Sequence, residues 1–213
     1  MMKNNLFPVA KEGWSKIGYS FLAFIIAVIL DFDILQFLFF LFTLFLVYIY
    51  RNPERLAPHF QSGSVVSPAD GIIRSIEEIE EDGYSYKITI DTGYLDVSVL
   101  RTPSLSKVSE MNLVHGTKLS HAYQLSDKLN ENASIVFEDE QKNKIKVVHR
   151  VKQSLDALHI SLQTDQEVSQ GTRYGVMVYG TTTLYLPQNF RMDIKVGDEI
   201  SASDTLIGYF SKK

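Results

Sequence analysis

Residues 174–187 read YGVMVYGTTTLYLP, a stretch dominated by β-branched and aromatic residues. Such side chains pack well on the pleated, half-buried surface of a β-sheet. Gly180 and Thr181 lie in the middle of this stretch, and Pro187 marks its end. The stretch therefore predicts a β-strand that is followed by a turn.

The same signal recurs throughout the chain after residue 64. Short segments rich in β-branched and aromatic residues alternate with turns of Gly, Asn, Asp and Pro. Residues 117–132 differ, because they are polar and irregular, and they predict a helical turn or a mobile loop. The other predicted strands lie in VVSPADGIIRSIEEI, YSYKITIDTG, YLDVSVL, ASIVFEDE, NKIKVVHRV, ALHISLQT and TLIGYF. About eight short strands predict a mainly β fold, either a barrel or a sandwich.

Two pieces of the β region resemble each other: residues 67–76, SPADGIIRSI, and residues 196–210, VGDEISASDTLIGYF. Each places Gly and Asp in a turn that leads into a new strand, which is the pattern of the half-barrels in lipoyl-like folds. We therefore expect lipoyl-like half-barrels within the β region. An acyl carrier is one interpretation, but no lysine is centred in a tight hairpin where the acyl group would attach.

The N-terminal part of the chain is a candidate membrane segment. Residues 17–50 are predominantly apolar and carry no charge apart from Asp31 and Asp33, and as one helix they would be much longer than the ~30 Å hydrocarbon core of a bilayer. The two aspartates therefore predict a turn between two helical arms. We expect a membrane-anchoring helical hairpin over residues 1–51, a linker over 52–64 and a β-rich domain over 65–213.

The flanking charges predict how this hairpin is oriented. Lys3, Lys11 and Lys16 precede it, and Arg51 and Arg55 follow it, so the positive-inside tendency places both ends in the cytoplasm. The β domain would then face the cytoplasm from the cell (inner) membrane. A cleaved signal peptide and a buried hairpin of a soluble protein are alternatives, but the apolar run is long and has no polar stripe.

The composition removes several classes of function. A net charge of −4 gives no basic excess for nucleic acid, and the absence of cysteine removes disulfides, thiolate metal sites and a cysteine nucleophile. No histidine has a second ligand two or four residues away, so a metal site is not predicted. The oligomeric state stays open.

The order of the motifs resembles the short, membrane-bound phosphatidylserine decarboxylases, over nearly the whole chain. The motifs, in chain order, are YRNPER, VSPADGII, DVSVLRTP, LSDKLNENAS, GTRYGVMVYGTTTLYLP and VGDEISASDTLIGYF. This resemblance implies a phospholipid substrate in the membrane and conversion of phosphatidylserine to phosphatidylethanolamine plus CO2. It also implies self-cleavage at Gly180-Thr181, which creates a pyruvoyl-type cofactor from the chain itself.

The resemblance also implies roles for individual residues. Asp70 matches an acidic residue that orients a catalytic histidine, Ser98 stands where that histidine is expected, and Thr181 stands where the nucleophilic serine is expected. Asn130, Glu131 and His115 fall in the segments that are implied to bind the substrate. From the local sequence alone, Asp70 is equally an Asx turn before a glycine, and Thr181 is equally an ordinary strand residue.

The departures from the family pattern leave two hypotheses. A serine at position 98 cannot accept a proton near neutral pH as an imidazole does, and cleavage before Thr181 would give a 2-oxobutanoyl group instead of a pyruvoyl group. Arginines expected near the substrate are replaced by Leu158, His159 and Asn132. The chain is either a decarboxylase that uses Thr181, or a non-catalytic relative, a pseudoenzyme that binds a lipid or a partner at the membrane.

Overall fold

The computed structural model describes residues 7–55, 63–120, 123 and 125–211, and the side chain of Asp127 is not described. A 3-10 turn, Lys11–Gly13, precedes the helices α1 (Trp14–Ile29) and α2 (Asp33–Ile49), and α3 is Ser126–Leu129. The strands are β1 (Ser64–Val66), β2 (Gly71–Glu81), β3 (Tyr84–Thr92), β4 (Val99–Arg101), β5 (Ser106–Val114), β6 (Asn132–Glu138), β7 (Lys144–Val151), β8 (His159–Ile160), β9 (Glu167–Val168), β10 (Arg173–Val176), β11 (Gly180–Leu186), β12 (Phe190–Met192), β13 (Glu199–Ile200) and β14 (Leu206–Phe210). The predicted mainly β fold behind an N-terminal helical hairpin is confirmed.

The hairpin turns where the two aspartates predicted it. Asp31 has a φ of 59°, a left-handed conformation that Asp tolerates better than most residues, and α2 begins at Asp33. Along the hairpin, the Ser20 and Thr43 hydroxyls are 2.8 Å apart, and most large apolar side chains are exposed. Residues 11–29 have the length and composition of a membrane-crossing helix, whereas α2 is a shorter apolar helix. Each helix is about 25 Å long, slightly less than the hydrocarbon core.

Eight antiparallel strands form the main sheet, in the order β13-β2-β3-β11-β7-β6-β5-β9. The strand β11 lies near its centre, hydrogen-bonded to β3 on one side and to β7 on the other. Its residues alternate between buried and partly exposed, as expected for a strand with one face on the core. The strand that residues 174–187 predict is thus a central strand of the main sheet.

The two similar pieces of sequence pair with each other in the fold. The strand β2, which begins in the first piece, pairs with β13 of the second piece, and β1, which directly precedes the first piece, pairs with β14 of the second. The turns also meet, because the Ser67 amide donates to Thr205 O and the Ser203 amide donates to Ser67 O. The internal similarity therefore marks two half-units that close against each other.

The hairpin is packed onto the β domain at its base. A hydrophobic cluster joins the end of α2 to the β domain, and its buried members are Ala10, Leu46, Ile49, Tyr50, Val97, Val99, Val176 and Val178. Burial of apolar surface of this kind stabilises by roughly 25 cal/mol per Å². The base of the hairpin therefore forms part of the folded domain.

The structure differs from the sequence prediction in several strands. The strand β5 was not predicted, because more than half of its residues are polar, they do not alternate regularly with the apolar ones, and the segment lacks aromatic residues. Residues 94–97 were predicted to be strand but form a turn, in which the Gly93 amide donates to the Asp96 carboxylate. The β domain begins at Ser64, and linker residues 56–62 lie outside the described residues.

Candidate functional site around Gly180 and Thr181

The Gly180-Thr181 bond lies at the start of β11, inside a continuous ladder. Gly180 is paired with Thr92 of β3 and with Val151 of β7. A Cβ atom on Gly180 would lie 2.4 Å from the Arg150 carbonyl oxygen, a distance that real side chains do not adopt. The close approach of β7 therefore requires glycine at this position.

Strand alternation sends the hydroxyls of Thr181 and Thr182 to opposite faces of the main sheet. Thr182 is buried, and its hydroxyl lies 2.8 Å from His149 Nδ1, while His149 Nε2 lies 2.5 Å from the Tyr174 hydroxyl. Thr181 is partly exposed on the outer face. Within the described part of the chain, no side chain is hydrogen-bonded to the Thr181 hydroxyl. The imidazole of His149 is therefore hydrogen-bonded to Thr182 and not to Thr181, the residue at the predicted cleavage bond.

Burial makes His149 a neutral residue. Its complete removal from water lowers its pKa from 6.5 to about 3, because the charged imidazolium is disfavoured inside the core. The position of this histidine on a predicted strand is typical of a structural residue, and its bonds to Thr182 and Tyr174 agree with that interpretation.

The carboxylate of Asp70 is engaged by an arginine. Arg55 donates two hydrogen bonds to it, at 2.5 Å and 2.7 Å, and the Ala202 amide donates a third at 2.8 Å. Asp70 is buried, and none of these partners is a local backbone amide of an Asx turn. Three hydrogen bonds thus hold the carboxylate against a permanent cation, and the predicted catalytic role of Asp70 stays a prediction.

Ser98 is buried and its hydroxyl donates to the carbonyl oxygen of Ile49, at 2.9 Å. That carbonyl is in the last turn of α2, where carbonyls have no partner within the helix. The side chain at the position of the expected histidine therefore anchors the hairpin to the domain. The predicted catalytic role of Ser98 stays a prediction.

The three predicted substrate-binding residues lie together at one loop. Asn130 uses its side-chain amide for Thr117, Leu119 and the Val151 carbonyl. Glu131 is buried, accepts from the Leu158 amide at 2.9 Å and is hydrogen-bonded to the exposed His115. These contacts hold the loop against β7, and substrate binding by the three residues stays a prediction.

Charged groups that the sequence alone did not single out surround Thr181 on the outer face. Asp91, its neighbour on β3, binds Lys152 and Arg74, each at 2.7 Å. Burial acts to raise the pKa of Asp91, but hydrogen bonds from the two cations outweigh it and lower the pKa. These charged groups could have been identified from the alternation of side chains between the two faces of β3 and β7, but only with knowledge of how the strands pair.

Across the described ranges, no group of three or more acidic or histidine side chains is arranged to hold a metal ion. The site thus offers a hydroxyl, a buried neutral imidazole on the opposite face, and ion pairs. On this geometry no described side chain accepts a hydrogen bond from the Thr181 hydroxyl, and the carboxylate of its neighbour Asp91 is bound to Lys152 and Arg74.

Known proteins resemble this chain over most of its length. The family model described as phosphatidylserine decarboxylase matches residues 42–208. A protein of Desulfotalea psychrophila named phosphatidylserine decarboxylase proenzyme is 31% identical over 206 residues, which cover 94% of this chain and 96% of the relative. Proteins with the same name from Geotalea uraniireducens and Rickettsia typhi are 27% and 28% identical, over 97% and 82% of this chain and 99% and 78% of the relatives, respectively. No solved structure matches the chain.

Proposed function

This chain belongs to the phosphatidylserine decarboxylase family and is thereby a protein of phospholipid metabolism, and from that premise we propose that it acts at the membrane as an unprocessed member, which binds phospholipid headgroups without decarboxylating them. Its hairpin anchors it in the cell (inner) membrane, and the β domain faces the cytoplasm. The apolar helix over residues 11–29 and the flanking cations support this placement.

One observation carries the proposal: no described side chain prepares the Thr181 hydroxyl for attack. The described imidazoles are engaged elsewhere, with His149 bound to Thr182, His115 to Glu131 and His159 to Asp156. A weak nucleophile needs an adjacent base to attack a peptide carbonyl. The Gly180-Thr181 bond therefore stays intact, and no carbonyl cofactor forms.

Decarboxylation after self-processing is the second candidate function. It is favoured by the position of Gly180-Thr181 and by coverage of nearly the full length of relatives that are named proenzymes. Attack of the Thr181 hydroxyl on the Gly180 carbonyl would break the peptide bond and form an ester. Elimination would then release the Gly180 carboxylate, and hydrolysis of the remaining enamine would release ammonia and leave a 2-oxobutanoyl group at the start of the new chain. Such a carbonyl group condenses with the substrate amine and accepts the electron pair released as CO2 leaves.

The intact mass of the purified full-length protein distinguishes the two functions. We expect a single species at the full-length mass of 24.2 kDa, and no fragment that begins at residue 181. The Thr181→Ala variant is the matched control, because it lacks the hydroxyl and must stay whole under either function. Two chains in the wild type, but one in this variant, would reject the unprocessed form.

Lipid analysis gives an independent readout. In a bacterial host that lacks its own phosphatidylserine decarboxylase, we expect phosphatidylserine to accumulate equally with the wild type and with Thr181→Ala. A fall in phosphatidylserine that depends on Thr181 would instead establish decarboxylation.

A further inference from the structure

Two exposed leucines lie beside the base of the hairpin, on loops of the β domain. Leu95 is 67% exposed on the turn between β3 and β4, and Leu155 is 53% exposed between β7 and β8. Single exposed leucines are common on protein surfaces, so exposure alone indicates nothing. The contacts of these two loops with the hairpin give the leucines a defined position.

Each loop is bound to a different helix of the hairpin. Arg51, which follows α2, donates to the Leu95 carbonyl oxygen at 2.7 Å. Lys16, in the first turn of α1, donates at 2.8 Å to the carboxylate of Asp156, the residue after Leu155. Both leucines are therefore held close to the level at which α1 begins and α2 ends.

The two loops are also bound to each other. The Tyr94 hydroxyl donates to the Gln153 carbonyl oxygen, and the Tyr94 ring stacks on Tyr179 with ring centroids 4.7 Å apart. Burial raises the pKa of Tyr94, and a hydrogen bond with the Leu155 backbone acts in the opposite direction. The loops thus form one continuous surface beside the hairpin.

Two aromatic side chains extend this surface around the base of the hairpin. Phe7 and Trp14 are both exposed, and their rings meet edge to face with centroids 6.3 Å apart. The Phe7 carbonyl oxygen accepts from the Asn52 side-chain amide at 3.0 Å, which holds it next to the chain that leaves α2. We call Leu95, Leu155, Phe7 and Trp14 the apolar collar.

A third exposed leucine shows that the collar is specific to one end of the molecule. Leu105 is 63% exposed and lines a cavity beside the turn from β6 to β7. Leu155 follows the other end of β7, a strand of 8 residues that is roughly 25 Å long. Anionic headgroups repel the surface around Leu105, because the same cavity is lined by Glu138, Asp139, Glu140, Asp165 and Glu167.

We propose that the apolar collar seats the β domain in the interfacial layer of the lipid bilayer, so that no water layer separates the domain from the membrane. The collar can have this role only if the hairpin is inserted, as proposed above. Most large side chains of α1 and α2 are apolar and exposed, so the hydrocarbon core ends near the point where α1 begins and α2 ends. The collar lies at this level, where tryptophan is enriched and where apolar side chains gain free energy by leaving water.

The first experiment locates the collar relative to the lipid. Leu95→Cys, Leu155→Cys and the control Leu105→Cys are made in the cysteine-free full-length protein, and each carries an environment-sensitive fluorophore. The proteins are reconstituted in vesicles of phosphatidylcholine and phosphatidylglycerol that contain a lipid with a nitroxide near its glycerol backbone. We expect the nitroxide to cause a loss of fluorescence at positions 95 and 155, and none at position 105.

The same vesicles test the hairpin separately. Leu38→Cys places the fluorophore on an exposed position of α2, where a nitroxide deep in the acyl chains quenches it if the hairpin is inserted. Quenching at Leu38→Cys, but at neither Leu95→Cys nor Leu155→Cys, would overturn the collar and leave the placement of the hairpin intact. Absence of quenching at all three positions would contradict that placement and the collar with it. Neither outcome changes the intact-mass result.

A protein partner or a second copy of this chain would give a different pattern. Fluorophores at positions 95 and 155 would then be shielded from aqueous iodide, but the nitroxide lipid would not quench them. That pattern would overturn a role of the collar in lipid contact.

The second experiment tests whether the leucines themselves hold the domain on the lipid. The fluorophore is placed at Gln153→Cys, an exposed position on the same loop as Leu155, and both collar leucines are replaced by serine. We expect the double variant Leu95→Ser, Leu155→Ser to lose quenching by the shallow nitroxide, while its unfolding midpoint in detergent stays close to that of the parent, because surface substitutions change stability little. Leu105→Ser is the matched control and should keep the quenching. Unchanged quenching in the double variant would overturn the proposal.

Discussion

Thr181 and Thr182 are chemically identical neighbours in opposite surroundings. The Thr182 hydroxyl is buried against His149, whereas the Thr181 hydroxyl is on the outer face of the main sheet. At the scale of single residues, the face of the sheet on which each threonine lies therefore determines which hydroxyl contacts the imidazole. The contrast also provides a pair of closely matched substitutions.

Replacing each threonine with valine tests this contrast, because valine has the same shape without the hydroxyl. Thr182→Val leaves buried His149 without one of its partners, and we expect a loss of about 1–3 kcal/mol in the free energy of unfolding. Thr181→Val should change this free energy by less than about 0.5 kcal/mol. Thermal or denaturant unfolding of both variants measures the difference, and equal losses would contradict the assigned orientation of β11.

His149 also predicts a dependence of stability on pH. Its folded pKa of about 3 lies below the unfolded value of 6.5, so that only the unfolded state takes up a proton between these values. Stability from this residue is complete above pH 6.5 and is lost as the pH falls, by up to about 1.4 kcal/mol per pH unit.

The measurement compares the wild type with His149→Gln between pH 7 and 4. We expect the difference in the free energy of unfolding between the two proteins to shrink as the pH falls. The comparison removes the contribution of other groups, including His159, whose pKa is raised first of all by its hydrogen bond to Asp156 and whose effect has the opposite sign. A difference that stays constant over this range would show that His149 is not buried as a neutral group.

At the scale of elements, Asp156 connects the hairpin to the β domain. Its carboxylate accepts from Lys16 of α1 at 2.8 Å and from the Tyr50 hydroxyl, at the end of α2, at 2.6 Å. The other oxygen accepts from the Ala157 amide and lies 3.2 Å from His159 Nε2. One buried carboxylate therefore holds both helices of the hairpin.

Asp156→Asn should loosen this junction. We expect a loss of about 2–3 kcal/mol in the free energy of unfolding, less than for a fully buried ion pair because Lys16 is partly exposed. Limited trypsin digestion should also cut faster after Arg51 or Arg55. Asp165→Asn is the matched control, since its ion pair with Lys107 is exposed, and we expect almost no change there. Equal rates of cutting in the two variants would argue against this role.

The elements differ in how well the sequence predicted them. The hairpin turn at Asp31 and the strand β11 were predicted, because uniform apolarity and β-branched residues are local signals. The strand β5 was not, because most of its residues are polar and it becomes a strand by pairing with β6 and β9. Pairing depends on residues far away in the sequence, which a local pattern does not contain.

At the scale of the whole molecule, the proposed orientation in the membrane rests on the charges that flank the hairpin and can be measured directly. The chain has no cysteine, so single cysteines can be introduced without background. Glu140 is exposed, between β6 and β7, and Glu140→Cys should react with a membrane-impermeant thiol reagent only after the inner membrane is opened. The cysteine-free wild type controls for nonspecific labelling. Labelling in intact spheroplasts would place the β domain on the opposite side.

The sequence by itself determined the family, the mainly β class, the helical hairpin and the absence of a serine and a histidine at the expected positions. These features depend on residue type and local order. Only the tertiary structure decided that His149 is hydrogen-bonded to Thr182, that Asp70 binds Arg55, and that Arg101 lies opposite Arg173 on paired strands. Those relations depend on strand register and on which face each residue occupies, and register is set by contacts between segments that are distant in the chain.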